Sequence, residues 1–99
     1  MIKILYGVSP HHLIDITLLA IRQHSRNNVI MLPQGDEERA YLFGDPLPGV
    51  VKNILYMDDN DVDTVFGPDV PVYIDLTTQK VYSIDIPQHI KNFLSLIHI

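Results

Sequence analysis

Cysteine is absent from this chain of 99 residues. Its absence excludes disulfides, zinc held by thiolates and thiol catalysis. It also removes the device that usually stabilises small secreted domains. Stability must therefore come from an apolar core, and the 46% of apolar residues is enough to form one, since that fraction is typical of globular domains. We expect a single domain over residues 1–99.

Positive charge is scarce and scattered. Seven Lys and Arg residues stand against twelve Asp and Glu, the formal net charge is −5, and no two cations are adjacent. Binding to duplex nucleic acid requires clustered cations, because the affinity comes from releasing many counterions. Duplex nucleic acid is therefore not an expected partner.

Long apolar runs are missing as well. No stretch approaches the roughly 18–20 apolar residues that cross a bilayer as a helix. The opening segment, MIKILYGVSPHH, has too short an apolar run for a signal peptide and lacks a small-residue cleavage site. We therefore expect no membrane span, and an intracellular, cytoplasmic location rather than a secreted one.

Motifs of catalysis and metal binding are missing too. No serine lies in a G-x-S-x-G elbow, and the glycines form neither common phosphate-binding loop. The acidic segment 58–63 alternates aspartates as a calcium loop does, but Thr64 replaces the required glycine and Val70 the required glutamate. His11 and His12 are adjacent, whereas a helical metal pair is four residues apart. We expect no catalytic residue, no metal site and no cofactor.

Alternation of side-chain character predicts short strands throughout the chain. The segment VPVYIDLTTQKVYSID predicts a β-hairpin. The expected strands are 2–8, 13–17, 28–32, 50–57, 64–67, 70–76 and 80–86.

Helical spacing predicts the remaining elements. Residues 18–28 fit a strand or a helix, with helix preferred and Thr17 as its cap. Residues 35–44 fit a helix with Asp36 as N-cap, acids in its first turn and Gly44 in the left-handed conformation at its end. Residues 87–99 fit a third helix. We expect an α+β fold: a small, mostly antiparallel β-sheet or sandwich with two or three short helices.

The loop FGDPLPGVVK, residues 43–52, allows two interpretations. Each proline fixes its own φ and makes the residue before it extended, so the loop is stiff. It is either a rigid corner between a helix and a strand, or a preorganised binding loop. In the second case the contacts would come from Phe43, Asp45, Pro46, Leu47, Pro48 and Lys52.

The C-terminal segment NFLSLIHI is strongly apolar. Such a terminus is normally docked on its own domain or on another subunit. Burial in a symmetric dimer would remove it from water, so we expect a homo-oligomer, most simply a dimer, with a further protein partner as the other expected interaction. The residues predicted to make the self-association contact are Phe93, Leu94, Leu96 and Ile97.

The segments ILYG, IDIT and P-x-G-D-x-x-R-A-x-x-F-G-D-P-L-P-G-V-V-K-x-I together resemble short uncharacterised proteins or domains of large DNA viruses of amoebae. A looser arrangement of YG, DIT, DP, G and K is similar to the C-terminal β-rich domain of some DnaJ-type co-chaperones. The resemblance covers about the first sixty residues. It implies a viral protein that is located in the virion or in the infected cell. No catalytic role carries over from the resemblance. It also implies a shared structural signature of Tyr6, Gly7, Asp15, Thr17, Arg39, Asp45, Pro46, Pro48, Gly49 and Lys52.

Two functions from different classes follow. The first is a non-catalytic interaction or structural module that associates with itself. The alternative is a small hydrolase or a carbohydrate-type ligand-binding protein with an acidic and histidine-containing pocket. It requires Asp36, Glu38, Asp45 and a histidine to converge.

Overall fold

Eight short strands and three helices make up the fold. The computed structural model describes residues 2–8, 10–60, 63–83 and 87–97, and side chains as far as residue 92. The strands are β1 Lys3–Val8, β2 His12–Asp15, β3 Ser25–Arg26, β4 Val29–Leu32, β5 Asn53–Met57, β6 Asp63–Phe66, β7 Val72–Asp75 and β8 Val81–Tyr82. The helices are α1 Thr17–Gln23, α2 Asp36–Phe43 and α3 Gln88–Ile97.

The strands form two sheets of four. The first sheet has the order β2-β1-β5-β6 and the second has the order β3-β4-β7-β8. Within the described residues every strand pair is antiparallel, including the predicted β7–β8 hairpin. The prediction of an α+β fold with a mostly antiparallel sheet is confirmed.

The core lies between the inner faces of the two sheets. Side chains alternate across a strand, so Ile4 and Tyr6 of β1 point inward together. The first sheet adds Ile54, Tyr56 and Phe66, and the second adds Ile30, Leu32, Val72 and Ile74, all in one buried cluster. Ala20 of α1 and Phe43 of α2 belong to the same cluster. These two helices therefore pack on the core and not on the outside of the first sheet.

The two helix starts depart from the prediction, and α1 shows why. Its N-cap is Ile16, and Thr17 is its first helical residue. The Thr17 hydroxyl accepts the N–H of Ile4 at 2.8 Å and donates to Asp15 Oδ1 at 2.6 Å. Thr17 as N-cap was wrong, because its side-chain oxygen serves a strand and a turn. The predicted strand 13–17 accordingly ends at Asp15.

Helix α2 likewise begins one residue earlier than a cap at Asp36 would allow. Its N-cap is Gly35, with φ +98°, and Asp36 is the first helical residue. The predicted acids of the first turn are present. Gly44 follows the helix with φ +89° and ψ 160°, so its φ is positive, but it is not in the left-handed helical conformation that was predicted.

Several other elements are shorter than the sequence predicted. The segment that fitted both strand and helix forms α1 and then the short strand β3. The strand predicted at 50–57 begins at Asn53. Of the strand predicted at 80–86, β8 covers Val81–Tyr82, and residues 84–86 lie outside the described residues.

Helix α3 confirms the predicted C-terminal helix. Pro87 directly precedes it, where a missing N–H has no cost. Its Ile90 is fully buried, and His89 Nε2 lies 3.6 Å from Asp75 Oδ2. Asp75 follows the inward-pointing Ile74, so it lies on the outer side of the second sheet, and its contact with His89 places the first turn of α3 there. Among the described residues, none of the helices has the length and apolar character needed to span a bilayer.

Gly7 lies in β1 one residue before the end of the first hairpin, where a side chain would overlap the neighbouring strand. It pairs with Leu13, has φ +145°, and a Cβ at this position would lie 1.8 Å from the His12 carbonyl oxygen. We expect Gly7→Ala to lower the free energy of unfolding by about 3 kcal/mol or more, because steric overlap adds to backbone strain. Urea unfolding followed by circular dichroism measures the loss.

Gly44→Ala is the matched control for this prediction. Its φ is +89°, but a Cβ there has no atom within 4 Å. We expect about 1–2 kcal/mol from strain alone. Equal losses in the two variants would show that the close approach to His12 has no energetic effect.

Candidate functional site

The predicted loop contains a buried lysine held by two carboxylates. Lys52 is 1% exposed. Its Nζ lies 3.1 Å from Asp36 Oδ2 and 3.0 Å from Asp45 Oδ1. It also donates to the carbonyl oxygens of Leu47, at 3.3 Å, and Val50, at 2.5 Å. We call Tyr6, Asp36, Asp45 and Lys52 the Lys52 cluster.

Three parts of the chain meet in this cluster. Asp36, at the start of α2, accepts the Tyr6 hydroxyl from β1 at 3.0 Å on Oδ1. The same oxygen accepts the backbone N–H of Lys52 at 3.1 Å, which is why the ladder of β5 starts one residue later. Asp45 Oδ1 accepts the N–H of Leu47 at 3.1 Å and fixes the loop around Pro46. The cluster therefore ties the loop to α2 and to the first sheet.

Three members of the cluster, Asp36, Lys52 and Tyr6, have shifted pKa values. Burial acts to raise the pKa of Asp36, but the N–H and ammonium of Lys52 and the Tyr6 hydroxyl outweigh it and hold that pKa below its ordinary value. Burial acts to lower the pKa of Lys52, but Asp45 and Asp36 outweigh it and raise that pKa. Burial, together with the hydrogen bond and charge of Asp36, raises the pKa of Tyr6 well above its ordinary value.

The directions for Asp36, Lys52 and Tyr6 do not favour acid–base work by these groups at neutral pH. A general acid or base is most effective when its pKa lies near the working pH. Asp36 and Lys52 are both shifted away from neutrality, and so is the Tyr6 phenol. The cluster consists of a buried lysine held between two partly exposed carboxylates, and it connects the loop, α2 and the first sheet.

The structure places the six predicted loop residues in different environments. Phe43 is buried, with its ring 5.5 Å from those of Tyr6 and His24. Pro46 and Leu47 are half-buried, and Pro48 is exposed, like Asp45. The arrangement agrees with a rigid corner, and partner binding by this loop stays a prediction. The predicted self-association residues all lie on α3, and their side chains are outside the described residues.

The carboxylates of the alternative pocket converge only in part. Asp36 and Asp45 meet at Lys52, whereas Glu38 is exposed on α2. None of the described histidines makes an ion pair or hydrogen bond with these carboxylates: His24 packs on Phe43, His89 lies near Asp75, and His11 and His12 lie at the β1–β2 hairpin. In the part of the chain that the structure describes, no group of three His, Asp or Glu residues is placed to hold a metal ion.

Two cavities lined by described residues are separate from the Lys52 cluster. One, of about 560 Å³, is lined by Ile2, Lys3, Asp15, Thr17 and Leu18. The other, of about 270 Å³, lies on the outside of the first sheet. It is lined by Gly7, Leu13, Asn53, Leu55, Asp63 and Val65.

The outside of the first sheet is a feature that the sequence reasoning missed. Because Ile4, Tyr6, Ile54 and Tyr56 point inward, their neighbours along β1 and β5 point outward. The outer face consists of Lys3, Leu5, Gly7, Leu13, Asp15, Asn53, Leu55, Met57, Asp63 and Val65.

The centre of this outer face is apolar. Leu5 and Leu55 are paired on adjacent strands, Leu55 pairs with Val65, and Leu13 and Met57 lie beside them. Val65 is 61% exposed. An antiparallel sheet with one solvated face normally carries polar residues on it. Such an apolar centre with a charged edge is typical of an interaction surface.

Comparison with protein-family models, with curated proteins and with solved structures gave no match for this chain. The resemblance to proteins of amoebal viruses therefore stays a prediction.

Proposed function

We propose that this chain is a non-catalytic interaction module that associates with a second copy of itself. The apolar centre of the outer face supports this proposal most directly. Burying apolar surface contributes roughly 25 cal/mol per Å². A symmetric dimer lets one such face cover another without requiring a second kind of surface.

The state of the ionisable groups also supports a non-catalytic role. The two aspartates that a hydrolase would use are engaged by Lys52 at 3.1 and 3.0 Å. The lysine is itself buried and cannot reach a ligand in solution. Catalysis by this cluster would require breaking the contacts that hold the loop on the domain.

Sedimentation equilibrium of the full chain tests the proposal. From low to high micromolar concentration, we expect the average mass to rise from that of one chain toward that of two. Static light scattering after size exclusion provides an independent mass. The mass of a single chain at every concentration would overturn the proposal.

A further inference from the structure

The geometry points to a specific dimer, in which the outer faces of two first sheets stack with β5 on the two-fold axis. This inference rests on the proposed self-association and names its surface and register. It is carried by the order of the strands and by the residues that the ladder places side by side. In the first sheet β5 lies between β1 and β6.

A two-fold axis parallel to β5, midway between two stacked sheets, exchanges the strands on either side of it. It places β1 of one copy over β6 of the other, and β5 over β5. It does not move residues along the strand direction, so each row of cross-strand neighbours meets the same row of the second copy. Two-fold contacts of this kind are reciprocal.

The charged row is complementary to itself under this operation. Lys3 pairs with Met57, and Met57 pairs with Asp63, so the two charges flank β5 in one row. Lys3 of each copy then faces Asp63 of the other. Both side chains are exposed in the single chain and available for this contact. Opposite charges at the edge of an interface favour the correct register.

The neighbouring row is apolar and equally self-complementary. Leu5 pairs with Leu55, and Leu55 pairs with Val65. Leu5 of one copy meets Val65 of the other, and Leu55 meets Leu55 on the axis. Asn53, one row further on, also lies on the axis, where its amide can both donate and accept.

An axis along the neighbouring strand β1 fits poorly. It would stack Lys3 on Lys3, and like charges placed opposite each other are unfavourable. It would also place Asp15, the partner of Leu5, over Leu55 and bury a carboxylate against an apolar side chain. The charges of the face therefore favour an axis along β5 over an axis along β1.

The size of the face predicts a weak dimer. With β5 on the axis, β1, β5 and β6 overlap and β2 does not. Three strands about 4.8 Å apart, with about five residues of 3.4 Å each, span about 14 by 17 Å, or about 240 Å² in projection. Standard interfaces bury about 800 Å² on each partner. We therefore expect a dissociation constant in the micromolar range, which sedimentation equilibrium measures well.

A matched pair of valines tests the surface. Val65 on the outer face and Val51 in the loop before β5 are 61% and 62% exposed. We expect Val65→Lys to weaken dimerisation about tenfold or more, because a charge enters the apolar row. Val51→Lys places the same charge away from the face, so we expect an unchanged dissociation constant. Circular dichroism of both variants verifies that the fold is retained.

A charge exchange tests the register. We expect Lys3→Asp and Asp63→Lys each to weaken the dimer about threefold, the scale of an exposed ion pair, and the double variant to recover most of that loss. Lys3 also attracts Asp15 in its own chain, so recovery is measured from Asp63→Lys as well as from Lys3→Asp. Pairing through the sheet edges predicts no such recovery, and that result would overturn the stacked arrangement.

The outcomes separate this inference from the proposed function. A wild-type chain that stays monomeric removes both. A dimer that is equally stable with Val65→Lys and with the charge reversals keeps the self-association and overturns the stacked sheets. In that case a loss of dimer in Leu96→Lys would assign the contact to the C-terminal segment, as the sequence predicted.

Discussion

Replacing Arg39 with methionine is expected to lower the free energy of unfolding by about 4 kcal/mol. Arg39 is 0% exposed. Its Nε donates to the Pro33 carbonyl at 2.7 Å, Nη1 to Gly67 at 2.8 Å and Nη2 to Val70 at 2.5 Å. Methionine keeps much of the volume but leaves these acceptors unpaired, and each buried unpaired group costs about 1–3 kcal/mol.

The carbonyls that Arg39 joins explain why the loss should be large. Pro33 follows β4, whereas Gly67 and Val70 lie between β6 and β7, which belong to different sheets. One planar guanidinium on α2 therefore fastens both sheets to the helix. Arg39→Lys should recover little, because a compact ammonium cannot reproduce the directions of three fixed N–H groups.

Urea unfolding followed by far-ultraviolet circular dichroism measures this effect. Arg26→Met is the matched control, since Arg26 is exposed on β3. We expect the control to change stability by no more than about 0.5 kcal/mol. A loss below about 1 kcal/mol in Arg39→Met would mean that water or local rearrangement satisfies the three carbonyls.

The elements that could be predicted are those set by neighbouring residues. The alternation in VPVYIDL and KVYSIDI predicted the β7–β8 hairpin, and Pro87 marked the start of α3. The helix starts at Thr17 and Asp36 could not be predicted in the same way. Their side chains serve partners 13 and 30 residues away, at Ile4 and Tyr6. Local capping preferences carry no information about such contacts.

The inward position of Lys52 was, in contrast, open to prediction. Ile54 and Tyr56 point into the core, and Lys52 has the same parity along the chain. Extending that alternation back by one step places a lysine inside, where it needs carboxylate partners. The predicted strand 50–57 already contained Lys52, but the interpretation of residues 43–52 as a binding loop assigned this side chain to outward contacts.

The outer face could be predicted from the same strands. In NILYM and KILYGV apolar residues occupy both parities, a pattern typical of strands covered on both sides. The sequence alone does not say that β5 is flanked by β1 and β6. That order decides which side chains share a row, and with it the self-complementary placement of Lys3 and Asp63.

The Lys52 cluster is expected to respond unequally to the loss of its positive and negative members. The Asp36 and Asp45 side chains keep 26% and 34% of their exposure, whereas that of Lys52 keeps 1%. In Lys52→Met, water can reach both carboxylates, and we expect a loss of about 1–2 kcal/mol. In the double variant Asp36→Asn with Asp45→Asn, a buried ammonium loses its counter-charges, and we expect about 3–5 kcal/mol.

Combining the three substitutions provides the control. With Lys52→Met added to the two asparagines no buried charge is left, so stability should return to near that of Lys52→Met alone. Additive losses in the triple variant would show that the three groups act independently. Urea unfolding at neutral pH measures all four proteins under one condition.

The acid limb, which is the fall in the free energy of unfolding as the pH drops below neutrality, tests the same cluster in the wild-type chain. Because the pKa of Asp36 is lower in the folded chain than its ordinary 3.8, the unfolded chain binds more protons as the pH falls. The stabilisation from Asp36 is therefore complete above that ordinary value and is lost as the pH falls through the folded pKa. The stabilisation from Lys52 depends on pH in the opposite direction. Because its pKa in the folded chain is raised above the ordinary 10.5, its contribution to the free energy of unfolding is lost as the pH rises through the folded pKa. We expect the double asparagine variant to lose less stability than the wild type below about pH 4. Parallel acid limbs in the two proteins would mean that Asp36 is not held by Lys52 in solution.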